Sequence, residues 1–137
     1  MTRPLAIAGV ATALLVTLAC GGQSANSAST ELQRIHAGAL DVVLLSDHGV
    51  LRQGKDTSVL EFRHADGSLA DVGIVKANAT MAMAGMGAMI GAVDVQPSDT
   101  KGRYRMTSDL SMVGSWRFIL EWDGAGTGSA SLSASAR

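Results

Sequence analysis

Four methionines fall within nine residues at Met81-Ala82-Met83-Ala84-Gly85-Met86-Gly87-Ala88-Met89, separated only by alanine and glycine. That spacing places soft thioether sulfurs close together on a backbone that can bend to gather them. A soft ion such as Cu(I) prefers sulfur donors, and outside a reducing cytoplasm methionine has an advantage over cysteine because it cannot be lost to a disulfide. The chemistry indicated is copper capture, with Met81, Met83, Met86 and Met89 as candidate ligands. The same residues also suit a hydrophobic core. Val75, Ala77, Ala79, Met81 and Met83 share one strand phase while Lys76, Asn78 and Thr80 take the other, so the first two methionines are equally able to fill gaps in packing. Met86 and Met89 fit that alternative less well, because Gly85 and Gly87 interrupt the strand before them.

Other chemistries find little support. His36, His48 and His64 have no partner at metal-ligand spacing, and His48 and His64 sit beside turn sequences where a solvated histidine is the ordinary expectation. Asp41, Asp47 and Asp71 are scattered and lack the D-x-D-x-D-G loop that calcium requires, and Gly85-x-Gly87 has no helix start to cradle phosphate. No Gly-x-Ser-x-Gly elbow or paired acid and base occurs. The expectation is therefore a protein without a catalytic centre.

The first twenty residues say where these side chains work. Arg3 and the amino terminus supply positive charge, Leu5 to Ala19 run fifteen residues without a charge, and that run ends in Thr17-Leu18-Ala19 just before Cys20. This order is that of a signal peptide, and the apolar stretch is shorter than the roughly 20 residues a membrane-crossing helix needs. The cut site resembles the lipobox of bacterial lipoproteins, although Thr17 stands where that pattern usually has Leu. Cys20 is the only cysteine, and lipidation accounts for an otherwise exposed thiol in an exported chain. Several acyl chains would anchor the protein to the membrane stably, since each buried CH₂ adds ~0.8 kcal/mol. The expected location is extracytoplasmic, lipid-anchored to the cell envelope, on the periplasmic face in a Gram-negative cell. Gly21 in place of Asp permits, by the same resemblance, transport to an outer membrane. Without Arg3 the chain carries ten Lys and Arg against twelve Asp and Glu, a balance that argues against a nucleic-acid partner.

The expected organisation is a signal peptide over 1–19, the lipidated Cys20 with a flexible tether over 20–37, and one domain over 38–137. Gly21 to Thr30 contains no large apolar residue, a composition that cannot offset the entropy of ordering. Beyond it the pattern is β. Strands are expected at Leu40–Leu45, Ser58–Arg63, Val72–Met83, Met89–Val95, Arg103–Thr107, Ser115–Trp122 and Thr127–Ser135, with turns at Asp47-His48-Gly49, Ala65-Asp66-Gly67-Ser68 and Pro97 to Gly102. About seven short strands with regular turns imply an immunoglobulin-like antiparallel β-sandwich. Alternation is cleanest in Trp116-Arg117-Phe118-Ile119-Leu120-Glu121-Trp122, which places the two Trp, Phe118 and Leu120 in the core and Arg117 and Glu121 in water. Tyr104 and Met106 continue that logic, as do Leu60 and Phe62 around Glu61.

The Met-rich segment is followed by Lys101-Gly102-Arg103-Tyr104 and then by Leu110-Ser111-Met112-Val113-Gly114-Ser115-Trp116-Arg117-Phe118. In these features, a G-x-Y strand start and an S-M-x-G-x-W turn, the chain resembles the YtkA-like domain, itself similar to the FixH family and to domains beside heavy-metal efflux adaptors. The resemblance covers about residues 38–135. It implies an extracytoplasmic immunoglobulin-like fold, often encoded with copper or other cation-handling proteins, with no enzymatic activity established for the class. Relatives commonly have Pro after the first methionine of the cluster and a His near its end, where this chain has Ala82 and Ile90-Gly91. A site of thioethers alone suits Cu(I) and holds Cu(II) poorly. Met112 matches the turn methionine of the family and becomes a fifth candidate ligand if the turn approaches the cluster. Two functions follow: a copper-handling lipoprotein, or a non-catalytic adaptor whose Ala, Gly and Met edge docks a membrane transport or efflux partner.

Overall fold

The computed structural model describes residues 29–124 and 126–137. The expected signal peptide, Cys20 and residues 21–28 of the tether lie outside the described residues. Eight strands follow: β1 (Thr30–Ala37), β2 (Leu40–Ser46), β3 (Gly54–Arg63), β4 (Ile74–Met81), β5 (Met89–Pro97), β6 (Arg103–Leu110), β7 (Gly114–Asp123) and β8 (Thr127–Ala136). Neighbouring strands pair antiparallel in the order β1-β2-β3-β6-β5-β4-β7-β8. The expected immunoglobulin-like sandwich is present, with eight strands where about seven were expected. The extra one is β1.

β1 corrects the expected boundary between tether and domain, because residues 30–37 pair with β2 from Thr30↔Ser46 to Ala37↔Leu40. Its alternation is concealed in the sequence by a bulge between Glu31 and Gln33. A bulge adds a residue and resets which face the following side chains take. Leu32 and Ile35, three positions apart, therefore both pack against the core.

The sheet folds over through β5. The first part of β5 pairs with β4 (Ala79↔Gly91, Thr80↔Ile90, Met81↔Met89) and the rest with β6, from Ala92↔Asp109 to Pro97↔Tyr104. A strand that changes partners makes the corner of a sandwich. Gly91 sits at that corner because a Cβ there would lie 2.8 Å from Leu110 Cδ2 and 3.0 Å from Trp116 Cζ3. The open edges come together on the far side, where β1 lies against β8 and the Gln33 side-chain oxygen accepts the Ser133 N–H.

The core forms between the layers as the alternation requires. Trp116, Phe118 and Leu120 of β7 are wholly buried and Trp122 nearly so, while Leu60 and Phe62 of β3, Tyr104 and Met106 of β6, and Val42 and Leu44 of β2 meet them from the other layer. Phe62 packs edge-on to Tyr104 and Trp122 at centroid separations of 5.4 and 5.1 Å. Burial of such side chains contributes roughly 1.5–3 kcal/mol each, enough for a domain without a disulfide. The Tyr104 hydroxyl donates to the Gly73 carbonyl at 2.8 Å. Burial raises its pKa above the ordinary tyrosine value, so it stays a donor there.

Candidate functional site

The β4–β5 and β6–β7 connections lie at the same end of the sandwich, because β4 pairs with β7 and β5 with β6. The loop over 82–88 carries Met83 and Met86 between Met81 and Met89 at its two ends, and the turn over 111–113 carries Met112. The approach of Met112's turn to the cluster is thus a consequence of strand order.

Met81 and Met89 end β4 and begin β5 as directly opposed residues. Opposed residues on antiparallel strands project to the same side, with Cβ atoms about 4.5–5.5 Å apart. Met81 is buried in the core cluster, and Met83 and Met89 are half-buried against it. Met86 is 70% exposed at the loop tip and Met112 is 38% exposed. The phase expected for core filling therefore describes Met81 well, and the two methionines nearest the turns stand in solvent. Met106 is fully buried between β3 and β5.

The S-M-x-G-x-W turn is built against this cluster. Ser111 Oγ donates to Met89 Sδ at 3.1 Å. Gly114, with φ 134°, leaves room for Met81, whose Sδ would lie 3.0 Å from a Cβ at that position. Trp116 Nε1 reaches from the core to donate to the Met112 carbonyl at 3.0 Å, and Gln53 Nε2 donates to the Ser111 carbonyl at 2.8 Å. Ser111 thus meets one methionine sulfur, Gly114 leaves space for another, and Trp116 holds the Met112 backbone. A thioether sulfur has more than one lone pair, so the Ser111 contact orients Met89 and leaves sulfur electrons free. The donor set is chemically suited to a soft monovalent ion.

The histidines are not part of this arrangement as ligands in a cluster. His36, with its side chain 82% exposed, forms a close hydrogen bond with Asp41 near the opposite end of β1. His64 is exposed in the turn after β3, and His48 is exposed in the loop after β2. Among the described residues no group of three or more His, Cys, Asp or Glu side chains is placed to hold a metal. Cys20, the expected lipidation site, lies outside the described residues.

One charged feature escaped the sequence pattern. Glu61 was expected to face water, and it does lie on the outer face, yet it is only 3% exposed. Arg63 and Arg103 close over it: Arg63 Nε donates to Oε2 at 2.7 Å and Arg103 Nε to Oε1 at 2.9 Å. The register sets Arg34, Val43, Glu61 and Arg103 in one row across β1, β2, β3 and β6. Each carboxylate oxygen has a guanidinium, so the charge is buried with its partners, as burial of a charge demands. The available signal was Glu61-x-Arg63, two residues apart on one face of a strand.

A family model described as YtkA-like matches residues 36–121. The match runs from the end of β1 into β7 and takes in the methionine loop and the S-M-x-G-x-W turn. No curated protein and no solved structure matches the chain.

Proposed function

The chain belongs to the YtkA-like family, and from that premise we propose that it is a non-catalytic lipoprotein of the cell envelope that binds Cu(I) through its methionine end. The observation that carries this is the convergence of Ser111, Gly114 and Trp116 on Met89, Met81 and the Met112 backbone. Met81 and Met89 form the floor of the site. Met83, Met86 and Met112 close it as flexible donors from the two turns, their unbranched side chains rotating onto the ion at little steric cost. Bound Cu(I) supplies no redox step in this role; the protein receives it, shields it and releases it to a metal-transport protein of the membrane. Absence of imidazole and carboxylate from the donor set favours the reduced ion over Cu(II).

The test is a titration of Cu(I), in competition with a colorimetric chelator, into the mature chain. Replacing Met83, Met86, Met89 and Met112 by Leu keeps apolar volume, a change that usually costs less than about 1.5 kcal/mol per site. We expect affinity to fall at least tenfold while the urea midpoint moves little. Unchanged affinity in the fourfold variant would reject the site.

A second function is supported by a different feature, the exposure of Met86 on a loop of Ala and Gly. In it the domain is an adaptor, and the methionines are adaptable contacts for an efflux or transport partner. Co-purification of a membrane protein that survives a copper chelator separates it from metal binding.

A further inference from the structure

The methionine end is also the end from which the chain enters the fold. Thr30 pairs with Ser46, and Ser29 Oγ donates to Asp47 Oδ1 at 2.6 Å, which puts the start of β1 beside the loop that leads to Gln53 and so to Ser111. Among the described residues, four of the six large apolar side chains that stand exposed lie at this end: Met86 at 70%, Ile90 at 79%, Val113 at 55% and Met112 at 38%. No charge occurs from Ala77 to Val93 or from Leu110 to Trp116. The opposite end carries Asp66, Asp71, Asp99 and Asp123 in or beside its turns, offset in part by Lys101, which lies 3.9 Å from Asp71, whereas at the methionine end the loop between β2 and β3 balances Asp47 with Arg52.

Reach decides which end an anchor holds near the bilayer. Nine residues lie between Cys20 and Thr30, and the ten steps from one to the other span at most about 35 Å fully extended. The ten-residue strands β3, β7 and β8 are each about 33 Å long. To bring the acidic end to the membrane, the link would have to run the whole length of the domain near full extension. With the methionine end down, it needs to cover only the gap between lipid and Thr30.

We propose that Met86, Ile90, Met112 and Val113 form a tip that enters the headgroup layer of the bilayer to which Cys20 is anchored. The proposal rests on the anchoring in the proposed function and is independent of copper. Uncharged apolar side chains on a tip suit the interface between headgroups and acyl chains, and the acidic far end is repelled by anionic lipid. Thioethers held there would meet a membrane-embedded receiver of the ion without rotation of the domain.

The test uses the full lipidated chain in phosphatidylcholine vesicles containing phosphatidylglycerol, without copper. With Cys20 acylated, a cysteine introduced by Met86→Cys or, separately, by Asp66→Cys is the one thiol open to an environment-sensitive dye. Both positions are exposed, so the labels leave the core intact. We expect the label at 86 to shift to the blue and to be quenched at least twofold by lipids carrying a shallow nitroxide, and the label at 66 to behave as in buffer. A second variant, I90D in the Met86→Cys background, should abolish the quenching while the protein still floats with the vesicles. Flotation with no quenching at 86, or equal quenching at both positions, overturns the proposal and leaves anchoring intact. Quenching at 86 that requires an added membrane protein also overturns it and makes the tip a protein-docking surface. Loss of flotation overturns the anchoring itself, and the proposal with it.

Discussion

Glu61 and Met86 break opposite halves of the rule that apolar groups go inside and charges outside. Glu61 is a carboxylate shut away on the outer face of the sheet, and every oxygen it presents is met by Arg63 or Arg103 of the same chain. Met86 is a large apolar side chain left 70% exposed, on a loop without charge, and no described residue covers it. The first exception is resolved within the fold. The second is open, and an unresolved exception is where an outside ligand belongs. In the function proposed above, the flank serves stability and the tip serves binding.

The division predicts that changes on the flank alter stability and leave binding alone. The largest effect is expected from replacing Arg63 and Arg103 together by Met, which strands the Glu61 carboxylate. We expect a loss of about 2–3 kcal/mol, below the usual range for a fully enclosed pair because water can reach the space vacated. Urea unfolding measures it, and Cu(I) affinity should not change. A loss under half that size would mean that Glu61 escapes to solvent and that the flank is not a buried pair.

Next in size is Gly91→Ala at the corner of β5. The added Cβ meets Leu110 and Trp116, and overpacking of this kind costs about 1–3 kcal/mol. Because Trp116 also holds the Met112 carbonyl, this change should disturb both regions, with altered tryptophan emission and weakened Cu(I) binding together. A stability loss without weaker binding would separate the tip from its support.

The smallest effect is expected from acid at the β1 edge. Hydrogen bonds from Arg34 hold the Glu31 carboxyl below its ordinary pKa. For Asp41 burial acts upward, but hydrogen bonds with His36 and Arg34 outweigh it and the value is again lowered. Because the folded values lie below the unfolded ones, the stabilisation is complete above the ordinary carboxylate range near about 4 and is lost as pH falls through the lowered values. Amide exchange, corrected for its intrinsic rate, should show β1 opening before β7 as pH falls. Simultaneous opening would show that these exposed pairs contribute nothing to the edge, as is common for surface ion pairs.

Much of the fold was legible because burial on one face forces alternation, and β7 shows it at every position from Trp116 to Trp122. β1 was not, since one bulge displaced its phase and its composition of Glu, Gln, Arg and His resembles a linker. Glu61 was misjudged for a related cause: alternation gives the face, and on that face two arginines from β3 and β6 supply the cover. For the candidate site, the methionine cluster and the S-M-x-G-x-W turn could be read directly. Which methionines are buried and which are exposed could not.

The order of residues alone determined an all-β domain, the strand phases of its core and a concentration of thioethers at one turn, because these depend on neighbours within a few positions. Tertiary structure alone decided that Ser111 meets Met89, that Gly114 admits Met81, and that the chain enters at the methionine end. Those contacts arise from the pairing of β5 with β6 and of β4 with β7, and pairing between strands is set by the packing of the whole sandwich.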